Sequence, residues 1–398
     1  MTKIKALYEK HYYSVFFFLF ILVYSCIVPG GLQAWETTSV TQSFHAVDFS
    51  MGFCSRILPG AIYDFLFGAV NEQVLNIYLA VLMIVFFLVL SLFLERFILG
   101  VDSEYRFVAT VFVLFFITGP ATFSIYIKLP GMMDTYWLFA GLLFFVLLSK
   151  KQTWFLLFVP FLICALVHHA TWLCYIPSFV LIALYKISVT QKKREKAYLW
   201  VALSLTVAAA VALTVYLVFF ERDNLVYTVE EFIDVLSAKG SNHYTYFAES
   251  FYYYGYAPPE STSIFEELLF RISTNFISFN SLSRISVVVL LLPIVIFIYK
   301  FFIKQIATDS NKLKKFSYAC MLLLVPCSVV ATSFLSTDLI RWVGHAFLPL
   351  FASFLYVLYN EGAEAWNCVR EDFQKINIKT VLIYLVFYMS VVYYPYIV

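Results

Sequence analysis

The sequence predicts an all-α protein, built as a polytopic bundle of transmembrane helices. Three observations support this fold class: 62% of the 398 residues are hydrophobic, only 13% are charged, and the mean hydropathy is +0.84. Soluble proteins are about half apolar and about one quarter charged, so this composition excludes a soluble fold. The apolar residues also occur in runs close to the roughly 20 residues that a helix needs to cross a hydrocarbon core.

Eleven such runs follow one another along the chain, and we interpret each as a membrane span. They lie near residues 12–29, 74–94, 107–127, 133–149, 152–167, 170–185, 198–220, 285–303, 316–334, 342–359 and 380–396. No small-residue cleavage pattern follows the first run, so we expect a retained helix rather than a signal peptide. Lys151 and Lys186 are both typical of the inner end of a span, and the segment between them is slightly too short for two full crossings. The hairpin between them is therefore predicted to be short or broken.

The distribution of basic residues predicts the orientation. If the N-terminus is cytoplasmic, most of the 27 Lys and Arg residues lie on the inner side, as the positive-inside rule requires. The C-terminus then lies outside. Only a few basic residues remain on the outer side: Arg56, Lys128, Arg222, Lys239, Arg271, Arg284 and Arg341.

The spans group into three regions. An N-terminal membrane module of about seven spans covers 1–220, an outer loop covers 221–284, and a C-terminal module of about four spans covers 285–398. Outer loop 30–73 is too polar to span and too apolar for water, so we expect two short helices in the membrane interface. All inner loops are short, and the chemistry is therefore expected at the outer face.

The first outer loop contains the first candidate pair, Asp48 and Arg56. A carboxylate can accept the proton of an attacking hydroxyl, and a guanidinium can bind phosphate. We therefore predict Asp48 as a catalytic base and Arg56 as a phosphate-binding residue. The alternative is structural, with Asp48 capping an interfacial helix and Arg56 extending to lipid headgroups.

A second constellation lies in the segment DLIRWVGH. Helical spacing places Asp338, Arg341, Trp342 and His345 on one face, where Arg341 and Trp342 could bind substrate and Asp338 and His345 could support catalysis. In the alternative interpretation, Asp338 forms an ion pair with Arg341 and His345 belongs to the core.

Three further groups complete the candidate set. His168 and His169, at the tip of the short hairpin, could bind phosphate, transfer a proton or ligate a metal. Lys128 flanks a Pro-Gly turn together with Asp134 and is a weaker phosphate contact, because turn chemistry explains it equally well. Tyr252 and Tyr254, in the aromatic segment YTYFAESFYYYGY, could contact sugar rings or belong to an interfacial belt.

The cysteines predict neither a disulfide framework nor a zinc site, because they are scattered singly and lie mostly in apolar runs. They are Cys26, Cys54, Cys164, Cys174, Cys320, Cys327 and Cys368.

The order of elements in this chain resembles the integral-membrane glycosyltransferases of the C-type fold. It consists of a first helix, then a long outer loop with an Asp, then a bundle of spans. The resemblance covers roughly residues 1–220 and implies that Asp48 matches their catalytic carboxylate. The adjacent acidic pair of many such enzymes is absent here, which leaves the base and any metal requirement open. The strings DFSMGFCSRILPG, LVHHATWLCYIP and STDLIRW are also similar to bacterial membrane proteins of capsule and O-antigen loci, including polysaccharide polymerases.

The resemblance implies transfer of sugar or oligosaccharide units from a polyprenyl-phosphate or polyprenyl-diphosphate carrier, at the outer face of a bacterial cytoplasmic membrane. The expected partners are this donor, a glycan acceptor, membrane lipids and other envelope-polysaccharide assembly proteins, with no nucleic acid. We expect no organic cofactor, and the sequence is compatible with a requirement for a divalent cation. The alternatives are repeat-unit polymerisation, lipid-linked sugar transport and O-acyl transfer. Transport is less favoured, because the sequence has no internal repeat of the kind that many transporters contain.

Overall fold

A computed structural model describes residues 11–27, 37–51, 56–118, 131–219, 227–240, 280–335 and 339–390. Within these ranges the regular elements are α-helices and short 3₁₀-helices, with no strand, which confirms the all-α prediction. The α-helices are α1 Tyr12–Ile27, α2 Ser39–Ala46, α3 Ile57–Phe67, α4 Glu72–Leu99, α5 Arg106–Ile117, α6 Met133–Ser149, α7 Phe158–Val167, α8 Tyr175–Val189, α9 Lys193–Phe219, α10 Val229–Ala238, α11 Asn280–Thr308, α12 Lys312–Leu335, α13 Leu339–Glu361, α14 Ala363–Gln374 and α15 Ile378–Ser390.

Five helices in the described part of the chain are long and apolar enough to cross a membrane: Glu72–Leu99, Lys193–Tyr216, Val288–Thr308, Lys312–Ala331 and Arg341–Glu361. Each coincides with a span predicted from an apolar run, because composition over about 20 residues is a local signal. The molecule is therefore a membrane protein. Several other predicted spans correspond to shorter apolar helices, and the count of eleven and the orientation stay predictions.

The hairpin between Lys151 and Lys186 is broken, as its length predicts. A 3₁₀-helix Lys151–Leu156 precedes α7, and another, His169–Leu173, separates α7 from α8. The ten residues of α7 rise only about 15 Å, which is half of a hydrocarbon core. His168 lies at the break, in an extended conformation with φ −172°.

The chain forms two compact units by packing. The first unit contains 1–34, 83–128 and 271–398, and the second unit contains 35–82 and 129–270. In the first unit α13 is the central helix, with 89% of its apolar window buried. The second unit contains both helices of the first outer loop and α10 of the second outer loop.

The first outer loop forms two short α-helices, α2 and α3, as predicted, but they differ in burial. From Val40 to Ala46 every residue of α2 is buried, so α2 packs inside the second unit instead of lying at its surface. Gly60 permits the contact between the helices: a Cβ there would lie 1.9 Å from the carbonyl oxygen of Val47. By contrast, α3 exposes Phe65, which is 87% accessible, and it alone has the exposed apolar side chains expected of an interfacial helix.

Candidate functional site

Asp48 follows α2 directly and is buried, with 5% exposure. One carboxylate oxygen, Oδ1, accepts hydrogen bonds from the backbone N–H of Ser50 at 2.8 Å and from the Ser50 hydroxyl at 2.6 Å. The other oxygen, Oδ2, accepts from the ammonium of Lys239. A carboxylate offers about four acceptor sites, and the described residues fill three of them, so one site remains for a further donor.

Lys239 comes from the second outer loop and is held in place by backbone structure. It follows α10, whose N-terminus has a complete capping box between Thr228 and Glu231. Its carbonyl oxygen accepts from the Val70 N–H at 2.7 Å. The next residue, Gly240, has φ +76°, and a Cβ there would lie 2.4 Å from the Val70 oxygen. Only glycine allows this approach, which anchors Lys239 beside Asp48.

The electrostatic surroundings keep Asp48 ionised. Burial by itself would raise the pKa of its carboxyl, but the hydrogen bonds from Lys239 and Ser50 outweigh burial and hold the pKa below its ordinary value. The Ser50 hydroxyl donates to Asp48 and accepts from the Lys239 ammonium at 3.1 Å. A substrate hydroxyl that reached the remaining acceptor site would therefore meet a charged carboxylate.

An open groove of about 790 Å³ runs past this ion pair. Its walls are mostly apolar, and α3 supplies most of them. The lining residues are Asp48, Phe49, Ser50, Leu58, Ala61, Ile62, Asp64, Phe65, Leu66 and Lys239. Two carboxylates and one ammonium leave the groove with a negative balance, which disfavours phosphate there and favours donor groups such as hydroxyls.

Arg56 and His168 meet at the N-terminal end of α3, although 112 residues separate them. The Arg56 guanidinium donates from Nη2 to His168 Nε2 at 3.1 Å. Because a guanidinium has no acceptor, Nε2 must be unprotonated, and His168 is therefore the neutral tautomer with its proton on Nδ1. Arg56 has φ 68°, an unusual left-handed conformation for this residue type. The pair lies near the groove in sequence, since Leu58 of the lining is two residues after Arg56.

His45 is a buried polar residue that the sequence did not single out. Its Nδ1 donates to the Thr41 carbonyl at 2.8 Å, and its Nε2 accepts from the Tyr136 hydroxyl at 2.6 Å. Burial lowers the pKa of His45 to about 4, and the hydrogen bond to the Thr41 carbonyl offsets part of this decrease. His45 is therefore neutral at pH 7. The rings of Tyr63 and Tyr78 also pack around the imidazole. This network fixes α2 and thereby the position of Asp48.

The DLIRWVGH constellation lies in the first unit, at the start of α13. Trp342 and His345 are buried and their rings lie 5.6 Å apart between centroids, and Arg341 is half-buried on the same helix. Trp342 and His345 therefore share one face of α13, and the predicted four-residue constellation stays a prediction because Asp338 lies outside the described residues. The catalytic and binding roles of all three stay predictions.

Other predicted residues lie outside the described part of the chain: Lys128, Tyr252, Tyr254, Asp338 and the side chain of His169. Asp134 is described and is buried in the first turn of α6. Its neighbour Gly131 has φ +81°, in agreement with the predicted turn. Across the described residues, no group of three or more His, Cys, Asp or Glu side chains is arranged to hold a metal ion.

Two site residues were missed by sequence reasoning. Lys239 belonged to the small set of outer-side basic residues, and that signal could have found it. His45 carries no comparable signal, because its partner Tyr136 is 91 residues away. Comparison with known proteins found no matching family, curated protein or solved structure.

Proposed function

We propose that this protein is a membrane glycosyltransferase that transfers sugar or oligosaccharide units from a polyprenyl-(di)phosphate carrier at the outer membrane face, in surface polysaccharide assembly. The observation that carries the proposal is the convergence of Asp48 and Lys239 on a groove with an apolar wall. Lipid-linked substrates include a long apolar chain, for which the groove offers an apolar wall, while the ionised Asp48 at the groove suits the acceptor hydroxyl.

Different surfaces suit the phosphate and the prenyl chain of the donor. Arg56 at the N-terminal end of α3 suits the phosphate, because it is permanently charged and the helix dipole adds a positive field. The exposed side chains of Ile62, Phe65 and Leu66 further along α3 suit the prenyl chain. The negatively balanced groove suits the acceptor hydroxyl, which Asp48 would bind through its remaining acceptor site.

The reaction then follows from these positions. The acceptor oxygen attacks the anomeric carbon, the bond from this carbon to the phosphate oxygen breaks, and the electron pair leaves with the phosphate. Arg56 stabilises the charge that develops on this leaving group. Asp48 accepts the hydroxyl proton as the new bond forms, because the hydroxyl becomes acidic only at that stage.

The test uses cells that lack the protein and are complemented with wild type, Asp48→Asn or Asp234→Asn. Asp234 is exposed on α10 and lies outside the groove lining, so its variant is a matched control. General-base catalysis contributes about 10²- to 10⁴-fold. We expect Asp48→Asn to abolish product at wild-type protein levels, while Asp234→Asn restores it.

The accumulating intermediate identifies the reaction. Loss of one sugar from a persisting polymer indicates a single-sugar transferase, and accumulation of single lipid-linked repeat units at the outer face indicates a polymerase. Accumulation of lipid-linked units on the cytoplasmic side would overturn glycosyl transfer in favour of transport. Loss of acyl groups from an otherwise complete polymer would overturn it in favour of O-acyl transfer.

A further inference from the structure

A cluster of three lysines surrounds one buried carboxylate in the first unit. Asp372 of α14 is 7% exposed. Its oxygens lie 3.2 Å from Lys300 Nζ, 3.1 Å from Lys304 Nζ and 2.9 Å from Lys375 Nζ. One carboxylate can neutralise one ammonium, so the lysine cluster (Lys300, Lys304 and Lys375) has an excess of positive charge.

This excess exceeds what a structural ion pair needs. Lys304 alone would satisfy the carboxylate, and each added ammonium brings repulsion between like charges. The side chains of Lys300 and Lys375 are 54% and 66% exposed, compared with 37% for Lys304. The uncompensated positive charge is therefore accessible at the protein surface, where an anion can bind it.

The residues next to the cluster indicate where this anion comes from. Ile303, between Lys300 and Lys304 on α11, is 57% exposed. Ile376 and Ile378, which follow Lys375, are 42% and 40% exposed. Exposed apolar side chains beside ammonium groups are typical of the boundary between acyl chains and headgroups, where lysine extends its charge toward the polar layer.

We propose that the lysine cluster binds the phosphate of an anionic phospholipid headgroup. The acyl chains of this lipid lie along Ile303 of α11, Ile376, and Ile378 at the start of α15. Basic sites at helix ends are known to hold anionic headgroups, and the three ammonium groups converge on one point beside Asp372. This site is independent of the glycosyl-transfer proposal, because it uses other residues in the other unit.

Native mass spectrometry of the purified full-length protein tests this proposal, with phosphatidylglycerol and phosphatidylcholine added in equal amounts. The variant Lys300→Gln/Lys375→Gln removes the two most exposed charges and keeps Lys304 as the partner of Asp372. The control Lys193→Gln/Lys312→Gln removes two exposed lysines elsewhere. At roughly 1 kcal/mol per lysine, we expect the preference for phosphatidylglycerol to fall about 10- to 30-fold in the cluster variant and to stay unchanged in the control.

Two further arms separate the possible outcomes. Asp372→Asn removes the competing carboxylate and is expected to strengthen phosphatidylglycerol retention, an effect that general loss of folding would not produce. Millimolar inorganic phosphate is expected to leave the retained lipid in place. Equal losses in the cluster and control variants, or displacement of the lipid by inorganic phosphate, would overturn the proposal.

Discussion

The buried His45 predicts that the second unit loses stability as pH falls from neutral. Its folded-state pKa is about 4, below the ordinary value of 6.5. Between these values the opened state binds a proton that the folded state excludes, so stability decreases as pH falls through this window. His45 is 1% exposed, so solvent screening does not reduce the effect.

The magnitude follows from the two pKa values. Integration of proton binding from pH 7 to pH 5 gives a loss of about 2 kcal/mol in the free energy of opening α2, and the complete shift corresponds to about 3 kcal/mol below pH 4. Asp48 contributes little between pH 7 and pH 5, because the ordinary carboxyl pKa is 3.8 and its folded-state pKa is lower. The phenols of Tyr63, Tyr78 and Tyr136 stay neutral throughout.

Hydrogen–deuterium exchange of α2 amides measures this opening directly. After correction for intrinsic exchange, we expect protection at pH 5 to be about 20- to 30-fold lower than at pH 7. His45→Gln retains hydrogen-bonding groups without a titrating proton and is expected to remove this pH dependence. The control His11→Gln keeps His45 and should keep the dependence. Equal protection at both pH values in wild type would refute the reasoning, as would a full pH effect in His45→Gln.

Three further predictions concern single positions in the second unit. Lys239→Gln removes an ammonium that lowers the pKa of Asp48 against the effect of burial, so the acid limb of the pH–activity profile is expected to lie at higher pH than in wild type, which is measured in parallel. Gly60→Ala places a Cβ 1.9 Å from the Val47 oxygen and should destabilise the protein by about 3 kcal/mol or more, observed as a lower thermal midpoint. Arg56→Gly relieves the left-handed backbone but removes the hydrogen bond to His168, so we expect little net change in the midpoint while product formation falls. An unchanged Gly60→Ala midpoint, or full activity of Arg56→Gly, would contradict the corresponding argument.

The fold was predictable from the sequence where the signal is local. The long helices α4, α9, α11, α12 and α13 coincide with apolar runs, because hydropathy over one membrane thickness decides whether a segment is a span. The burial of α2 was not predictable in this way. Its sequence SVTQSFHA mixes polar and apolar residues, and its burial depends on Gly60 of α3 and Tyr136 of α6. The Tyr136 contact comes from 91 residues away, and the Gly60 contact depends on how the chain folds back between α2 and α3.

In the candidate site, the sequence predicts the membrane side of each residue but not the residue with which it pairs. The positive-inside argument predicts one membrane side for Asp48, Arg56, His168 and Lys239, and that sidedness stays a prediction, although all four lie in the second unit. The joint role of Asp48 and Arg56 stays a prediction, and in the structure each has its own partner from a distant segment. Asp48 binds Lys239, whose position depends on the α10 cap and on Gly240, while Arg56 binds His168 at the helix break. Charge patterning therefore predicts at most the membrane face of a residue, whereas its partner depends on backbone geometry that no single window of sequence contains.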